Sequence, residues 1–254
     1  MHPSCVNGGG PGSLLRLPSV PVGECETALA PGSEAVLHCW AARPGEVLTA
    51  VDPEGTHWRL RLTAVDGSAS GVPFARLAHP SESCLSIDVY QALPEKERFE
   101  LVLQKLTELG VNRIVPVVTQ RSTTPAQRDA VQAKSHRWPE VILRAAKQCR
   151  RARLPELYPA TSFAEVLELA VAAELKLMLY EGGETWSLAE ALGSLRPEQV
   201  ALLVGPEGGF SADELAAARA AGFLPVGLGP RILRTETAAI VGAALLQGLR
   251  GDLC

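Results

Sequence analysis

The sequence is missing several patterns that would each have named a class of function. Its six cysteines (Cys5, Cys25, Cys39, Cys84, Cys149, Cys254) are scattered, with no Cys-x-x-Cys pair. The five histidines (His2, His38, His57, His79, His136) show no metal-ligand spacing. These gaps argue against a structural zinc site and a disulfide scaffold, and for reduced cysteines in a cytoplasmic protein that needs no metal. The N-terminus has no basic-then-apolar leader. The longest apolar run, Ala238–Leu246, is broken by Gly242 and is too short to cross a bilayer. No Gly-x-Gly-x-x-Gly follows the first strand and no Lys-Ser/Thr follows a glycine loop, so the Rossmann and P-loop readings both fail.

What is present suffices for one large domain or two small ones: 254 residues, 46% of them hydrophobic. The net charge of −4 disfavours a nucleic-acid partner, but its distribution does not. Between Arg121 and Arg153 stand nine Lys/Arg against two acids, on an otherwise acidic chain. Such a basic block is the footprint of a localised anionic partner. Trp138-Pro139 can open a helix there, since proline is tolerated in the first turn. That helix would place Arg144, Lys147 and Arg151 on one face, with Arg150 and Arg153 nearby. A charged face can also be plain solvated surface; its near lack of acids favours phosphate contact.

Residues 1–13 are rich in Gly, Pro and Ser and are expected to be disordered. Residues 14–79 read as short strands broken by Pro/Gly turns, with Val36–Trp40, Val47–Val51 and His57–Val65 as examples, which suggests a small β-barrel. From residue 80 onward strands alternate with helices. Leu85–Leu93 is a strand, Glu95–Leu109 an amphipathic helix, and Asn112–Val118 a second strand; the alternation continues through Leu175–Tyr180 and Leu188–Leu192. This pattern predicts an α/β fold with a mostly parallel sheet covered on both faces.

The chain is organised around Val200–Gln247. Val200–Val204 is an unbroken apolar run ending at Gly205-Pro206, as a buried strand does. Ser211 and Glu214 have capping-box spacing, so a helix should start there and run to Gly222. Leu224–Leu228 reads as another strand, and Thr235 can cap a last helix with Glu236 in its first turn. Both glycine loops therefore sit at carboxyl ends of strands, where open α/β sheets bind ligands. Main-chain groups of these loops, walled by Leu228, Ile232 and Leu233, suit a flat nucleoside ligand. The same glycines also serve as simple strand-to-helix turns, and the residues alone leave both readings open.

Gly205-Pro206-Glu207-Gly208-Gly209-Phe210-Ser211 and Leu228-Gly229-Pro230-Arg231-Ile232-Leu233-Arg234-Thr235-Glu236-Thr237-Ala238 closely resemble the two signature motifs of the RsmE family. Its members are 16S ribosomal RNA (uracil-N3)-methyltransferases of the SPOUT superfamily. The block Arg98–Gly110, then Pro116 and Thr119–Ser122, and the residues Gln148, Arg151 and Pro155 match as well. In place of the family's Lys-Gly this chain has Glu95-Lys96, and Glu34–Ala41 is poorer in positive charge than the corresponding family strand. The resemblance spans about Leu85 to Leu249 well and the first third poorly.

The resemblance implies a PUA-like RNA-binding β-barrel over 14–79 and, over 80–254, a SPOUT-type sheet ending in a trefoil knot. It implies S-adenosylmethionine as cofactor, held by Leu179, Tyr180, Gly205, Pro206, Gly208, Gly209, Leu228, Gly229, Ile232, Leu233 and Thr235. It further implies 16S ribosomal RNA of the small subunit as partner and a homodimer; the basic block supplies the expected RNA contacts, Arg121, Arg144, Lys147, Arg150 and Arg151. Removing the imide proton of uracil needs a base or a stabilised anion. Glu207 is the best-placed carboxylate for the first role and Arg234 the best-placed cation for the second. Either has a structural alternative: Glu207 in bonding loop amides, Arg234 in pairing with Glu236 or Glu214. Two other functions compete: another SPOUT activity such as ribose 2′-O methylation of transfer RNA, and a catalytically silent RNA-binding protein. Thr235–Gln247 carries no charge beyond Glu236 and should be buried all round, its small residues Ala239, Gly242 and Ala243 admitting a partner's helix, or another element of the same subunit.

Overall fold

The structure is a computed structural model that describes residues 5–94, 98–124 and 135–253. Glu95-Lys96, Arg128, Asp129 and Lys134, which entered the sequence reading, lie outside these residues. Two sheets divide the chain. The first is antiparallel and four-stranded: β1 (Thr27–Ala28), β2 (Val47–Val51), β3 (His57–Ala64) and β4 (Ser70–Arg76), in the order β1-β4-β3-β2. Leu48, Ala50, Leu60 and Leu62 alternate onto its inner face and form a core with Leu15, Leu37 and Trp40.

Two expectations fail in this region. Val36–Trp40 is not a strand; Ser33–Cys39 forms a helix, α1. Its β-branched and aromatic residues suggested a strand, but Leu37 and Trp40 are three apart, and one helical face buries both to within 2%. Residues 5–13 are also not disordered. The Val6 amide donates to Leu157 O and the Gly10 amide to Leu154 O, both at 2.8 Å. Asn7 donates to Pro155 O and accepts from the Leu157 amide. Here main-chain and amide hydrogen bonds order a segment that has almost no apolar side chains to bury.

The second sheet has eight strands, every pairing parallel. They are β5 (Ser86–Ala92), β6 (Arg113–Val118), β7 (Glu156–Leu157), β8 (Thr161–Ser162), β9 (Leu175–Leu179), β10 (Trp186–Ser187), β11 (Gln199–Val204) and β12 (Leu224–Gly227). The order is β10-β12-β9-β11-β5-β6-β7, with β8 also on β6. Helices α2 (Arg98–Glu108), α3 (Trp138–Cys149), α5 (Leu188–Leu192) and α7 (Thr235–Arg250) supply one core; α4 (Phe163–Leu169) and α6 (Ala212–Ala220) supply the other. After Gln199, buried apolar residues at every position of β11 match a strand covered on both faces. Helix α3 joins the two sheets, since Trp138 and Ile142 enter the parallel core while Leu143 and Ala146 pack in the antiparallel one.

Asp88, almost fully buried, lies near the amino-terminal end of the sheet, bonded to Arg113, Asn112 and Gln199. Burial, only partly offset by Arg113, holds its carboxyl above the ordinary range. This strained charge is therefore structural, far along the strand from the loops at the other end.

Within the single chain, helix α7 is not buried all round. Ala239, Gly242 and Ala243 face the chain's own sheet, and a Cβ on Gly242 would lie 3.1 Å from Leu179 and 3.2 Å from Leu202. The small residues thus admit the sheet, not a partner's helix, while Leu245 and Leu249 remain over 40% exposed.

Candidate active site

Strand β11 runs between β9 and β5 and delivers the first glycine loop to the middle of the sheet's carboxyl edge. The loop closes by a bond from the Gly209 amide to Pro206 O at 3.0 Å, with Gly209 at φ 67°. Phe210 folds its ring against Gly205, where an added Cβ would lie 2.9 Å from it. Ser211 and Glu214 form the expected capping box at the start of α6. Glu214 also accepts from the Gln120 amide at 2.7 Å. Arg121, exposed at the surface, donates through Nη1 to Gly208 O at 2.9 Å and so braces the loop.

The second loop leaves β12 and crosses back to α7. Thr235 is the first helical residue, with Arg234 in the capping position and no side-chain cap bond. The Thr235 hydroxyl is used differently from the expectation. It donates to Gly205 O and accepts from Gln91 Nε2 at 2.9 Å, tying both loops to the end of β5. Gln91 is fully buried, and nothing in the sequence pattern singled it out. Among the described residues, the main-chain groups of residues 229–233 have no hydrogen-bond partner.

Between the loops lies a cleft of about 300 Å³. Leu179, Tyr180, Gly205, Pro206, Leu228, Gly229, Ile232, Leu233 and Thr235 line it, together with Glu207 and Arg234. Gly208 and Gly209 do not; they turn toward Arg121 and Glu181 respectively. Sequence reasoning missed, among others, Glu181, Thr185 and Val226, which also line it. Glu207 is paired to Arg98 Nη1 at 3.1 Å, and Arg98 Nε lies 3.8 Å from Glu236. Arg98 is thus the cation that spans both loops. The only advance signal for it was its place in the block resembling the RsmE family. Glu236 and Glu214 are engaged elsewhere, and among the described residues the exposed Arg234 has no carboxylate partner.

The expected basic helix face is largely paired within the chain. Arg144 pairs with Glu140 and Lys147 with Glu46. Arg151 is 3% exposed and bonded to Glu82, Thr107 O and Val111 O. A buried guanidinium spent on these partners cannot meet a phosphate. Among the described residues, Arg150 alone of the helix set stays exposed without an acid, in the left-handed conformation that ends α3. No cluster of metal-ligating side chains occurs among the described residues, and no helix there is long and apolar enough to cross a membrane.

This geometry matches known proteins. The family model of an RNA methyltransferase domain matches residues 81–247. The ribosomal RNA small subunit methyltransferase E of Mycobacterium bovis is 35% identical over 208 residues, 78% of this chain and 77% of that one. Its counterpart from Buchnera aphidicola is 33% identical over 68% of this chain and 69% of that one. The chain belongs to the ribosomal RNA small subunit methyltransferase E family. Among solved structures, the methyltransferase Lpg2936 of Legionella pneumophila, with S-adenosylmethionine bound, superposes with a TM-score of 0.67 at 33% identity, covering 94% of this chain and 98% of that one. The methyltransferase E of Neisseria gonorrhoeae, also bound to S-adenosylmethionine, gives 0.66 at 29% identity, covering 95% of this chain and all of that one. The family match begins at residue 81 and leaves the antiparallel sheet outside it; the two superpositions include that sheet in their coverage.

Proposed function

We propose that this protein transfers the methyl group of S-adenosylmethionine to N3 of a uridine in 16S ribosomal RNA, as a cytoplasmic homodimer acting on the small subunit. The observation that carries the reading is the cleft itself. Residues 229–233, whose main-chain groups have no hydrogen-bond partner among the described residues, line a slot walled by Leu179, Val226, Leu228 and Leu233. Such a slot fits an adenosyl group, which needs base-edge hydrogen bonds and apolar faces. When bound, the cofactor supplies an electrophilic methyl on a sulfonium, and no metal is needed for that chemistry.

The chain's own task is to make N3 nucleophilic. Glu207 stands at the rim of the cleft to take the imide proton, held in place by Arg98. Arg234, exposed at the same rim, is placed to stabilise the uracil anion or a neighbouring phosphate. We read the crossing of residues 228–234 from β12 back to α7 as part of the trefoil knot of the SPOUT fold. The antiparallel sheet we read as a PUA-like barrel over 14–79. The exposed Leu245 and Leu249 of α7 support a dimer whose contact is the outer face of this helix, not the Gly242 face.

Incubating the protein with small subunits or their RNA, S-adenosylmethionine and a chelator, then analysing nucleosides by mass spectrometry, tests the reading. The expected product is 3-methyluridine. A 2′-O-methylated nucleoside, or cofactor binding without transfer to any RNA, overturns it. For the dimer, Leu245→Glu with Leu249→Glu should give monomers in sedimentation; a monomeric wild type at micromolar concentration refutes it.

A further inference from the structure

Arg98 reaches the rim of the cleft from a distant part of the chain and is held there in a way that stability alone does not explain. It stands at the amino-terminal end of α2, where the helix dipole disfavours a cation. Its Nη1 donates to Glu207 Oε1 at 3.1 Å, and its Nε lies 3.8 Å from Glu236 Oε1. The Arg98 and Glu207 side chains are 38% and 31% exposed, and an ion pair so open to water adds little to folding. Glu236 differs. Its side chain is 11% exposed, and among the described residues its buried Oε2 has no hydrogen-bond partner. A carboxylate buried at that cost in the first turn of α7 anchors the guanidinium at its Nε end. Among the described residues no hydrogen bond uses Arg98 Nη2.

The pair thus sets an acceptor, the Glu207 carboxylate, beside a donor, the Arg98 guanidinium. The pairing edge of uracil carries the complement, an N3–H donor beside the O4 acceptor. Cytosine carries the opposite pattern, a bare N3 beside an amino donor. Charge follows the same geometry. When the imide proton passes from N3 to Glu207, the negative charge that leaves the carboxylate appears on the uracil, shared by N3 and its two carbonyl oxygens. A guanidinium within reach of both keeps an anionic neighbour throughout. N3 then bonds to the methyl carbon as the carbon–sulfur bond breaks, with the electron pair of that bond left on sulfur.

We infer that Arg98 is a catalytic and specificity-determining residue, which donates through Nη2 to O4 of the target uracil. The contact selects uracil over cytosine and stabilises the oxygen that turns negative when Glu207 takes the proton. The inference rests on the proposed methylation of uracil N3. It gives Arg98 a contact with the base beyond holding Glu207, and leaves Arg234 for a neighbouring phosphate.

The test uses the full-length chain, Arg98→Gln and Arg98→Lys. Methylation of small-subunit RNA is followed in a single turnover, cofactor affinity by calorimetry, and folding by the melting temperature. Arg98→Gln should slow transfer by about a hundredfold, the usual loss for one such donor, with cofactor affinity and melting temperature near wild type. Arg98→Lys, which keeps the charge without the planar fork, should recover about tenfold of that loss. Support of Glu207 alone would give similar numbers, so the contact itself is read by exchanging the target uridine for 4-thiouridine, whose sulfur is a poor acceptor. The exchange should slow the wild type about tenfold more than it slows Arg98→Gln. Binding gives a second reading without turnover. With S-adenosylhomocysteine in the cleft, RNA bearing cytidine at the target should bind the wild type about fivefold more weakly than RNA bearing uridine. Arg98→Gln should bind both alike. Arg98→Lys repeats both comparisons independently of how well Arg98→Gln folds. Equal sulfur effects in wild type and variants, or an unchanged preference for uridine, overturn the inference and leave the functional reading standing. A wild type that forms no 3-methyluridine overturns both.

Discussion

The two glycine loops of the cleft look alike in sequence and differ in how they are held. Residues 205–211 are fixed from several directions: Phe210 over Gly205, Arg121 on Gly208 O, Arg98 on Glu207, and Glu214 on the amides of Ser211 and Gln120. Residues 229–233 have no hydrogen bond among the described residues, and Ile232 is 81% exposed. One wall is thus built by the folded chain before any ligand arrives. The other keeps its polar main-chain groups available and gains its partners on binding. The difference teaches that a glycine's role depends on what packs against it.

If the first loop is the rigid wall, disturbing its packing should do the most damage. Gly205→Val would drive a side chain into the Phe210 ring, since even a Cβ would lie 2.9 Å away. Overpacking of this kind costs about 1–3 kcal/mol. We expect calorimetry to show S-adenosylmethionine affinity reduced by roughly a hundredfold; retention of wild-type affinity would remove the contrast between the loops.

Next in size is Glu214→Ala. It strips the buried acceptor from the Ser211 and Gln120 amides, and an unsatisfied buried donor costs about 1–3 kcal/mol. The melting temperature should fall by several degrees, with cofactor affinity down about tenfold. A change in affinity with no thermal shift would mean that Glu214 touches the ligand and does not brace the loop.

Gly229→Ala probes the other wall. Gly229 has φ 104°, which a Cβ disfavours, yet nothing lies within 4 Å to clash with it. Only backbone strain of about 1 kcal/mol remains, so cofactor affinity should fall about fivefold while the melting curve without ligand barely moves. Smallest of all is Ile232→Ser, because the side chain is mostly in water before binding. Thermal stability should be unchanged and affinity should fall less than about threefold. A larger loss would show that the ligand buries Ile232 fully and that the second loop closes over it.

The parallel half was legible because its signals are local. Continuous apolar runs, capping spacing at Ser211/Glu214 and helix-ending glycines placed β11, α6 and β12 to within a residue or two. The antiparallel half was less so. Short segments rich in β-branched residues do not distinguish strand from helix, and α1 was settled by what Leu37 and Trp40 pack against. Residues 5–13 were misread for a related reason, since their order comes from hydrogen bonds to residues about 150 positions away.

The sequence by itself determined the glycine loops, their order at the carboxyl ends of strands, and the family they point to, because each of these is written in neighbouring residues. Only the tertiary structure decided which charges are free. Arg151 and Lys147 looked like ligands for phosphate until Glu82 and Glu46, some 70 and 100 positions earlier in the chain, were brought beside them. Among the described residues, Arg59 and Arg150 drew no such partner and were left close together. Charge count is a property of the chain, but neutralisation depends on distances that only folding sets.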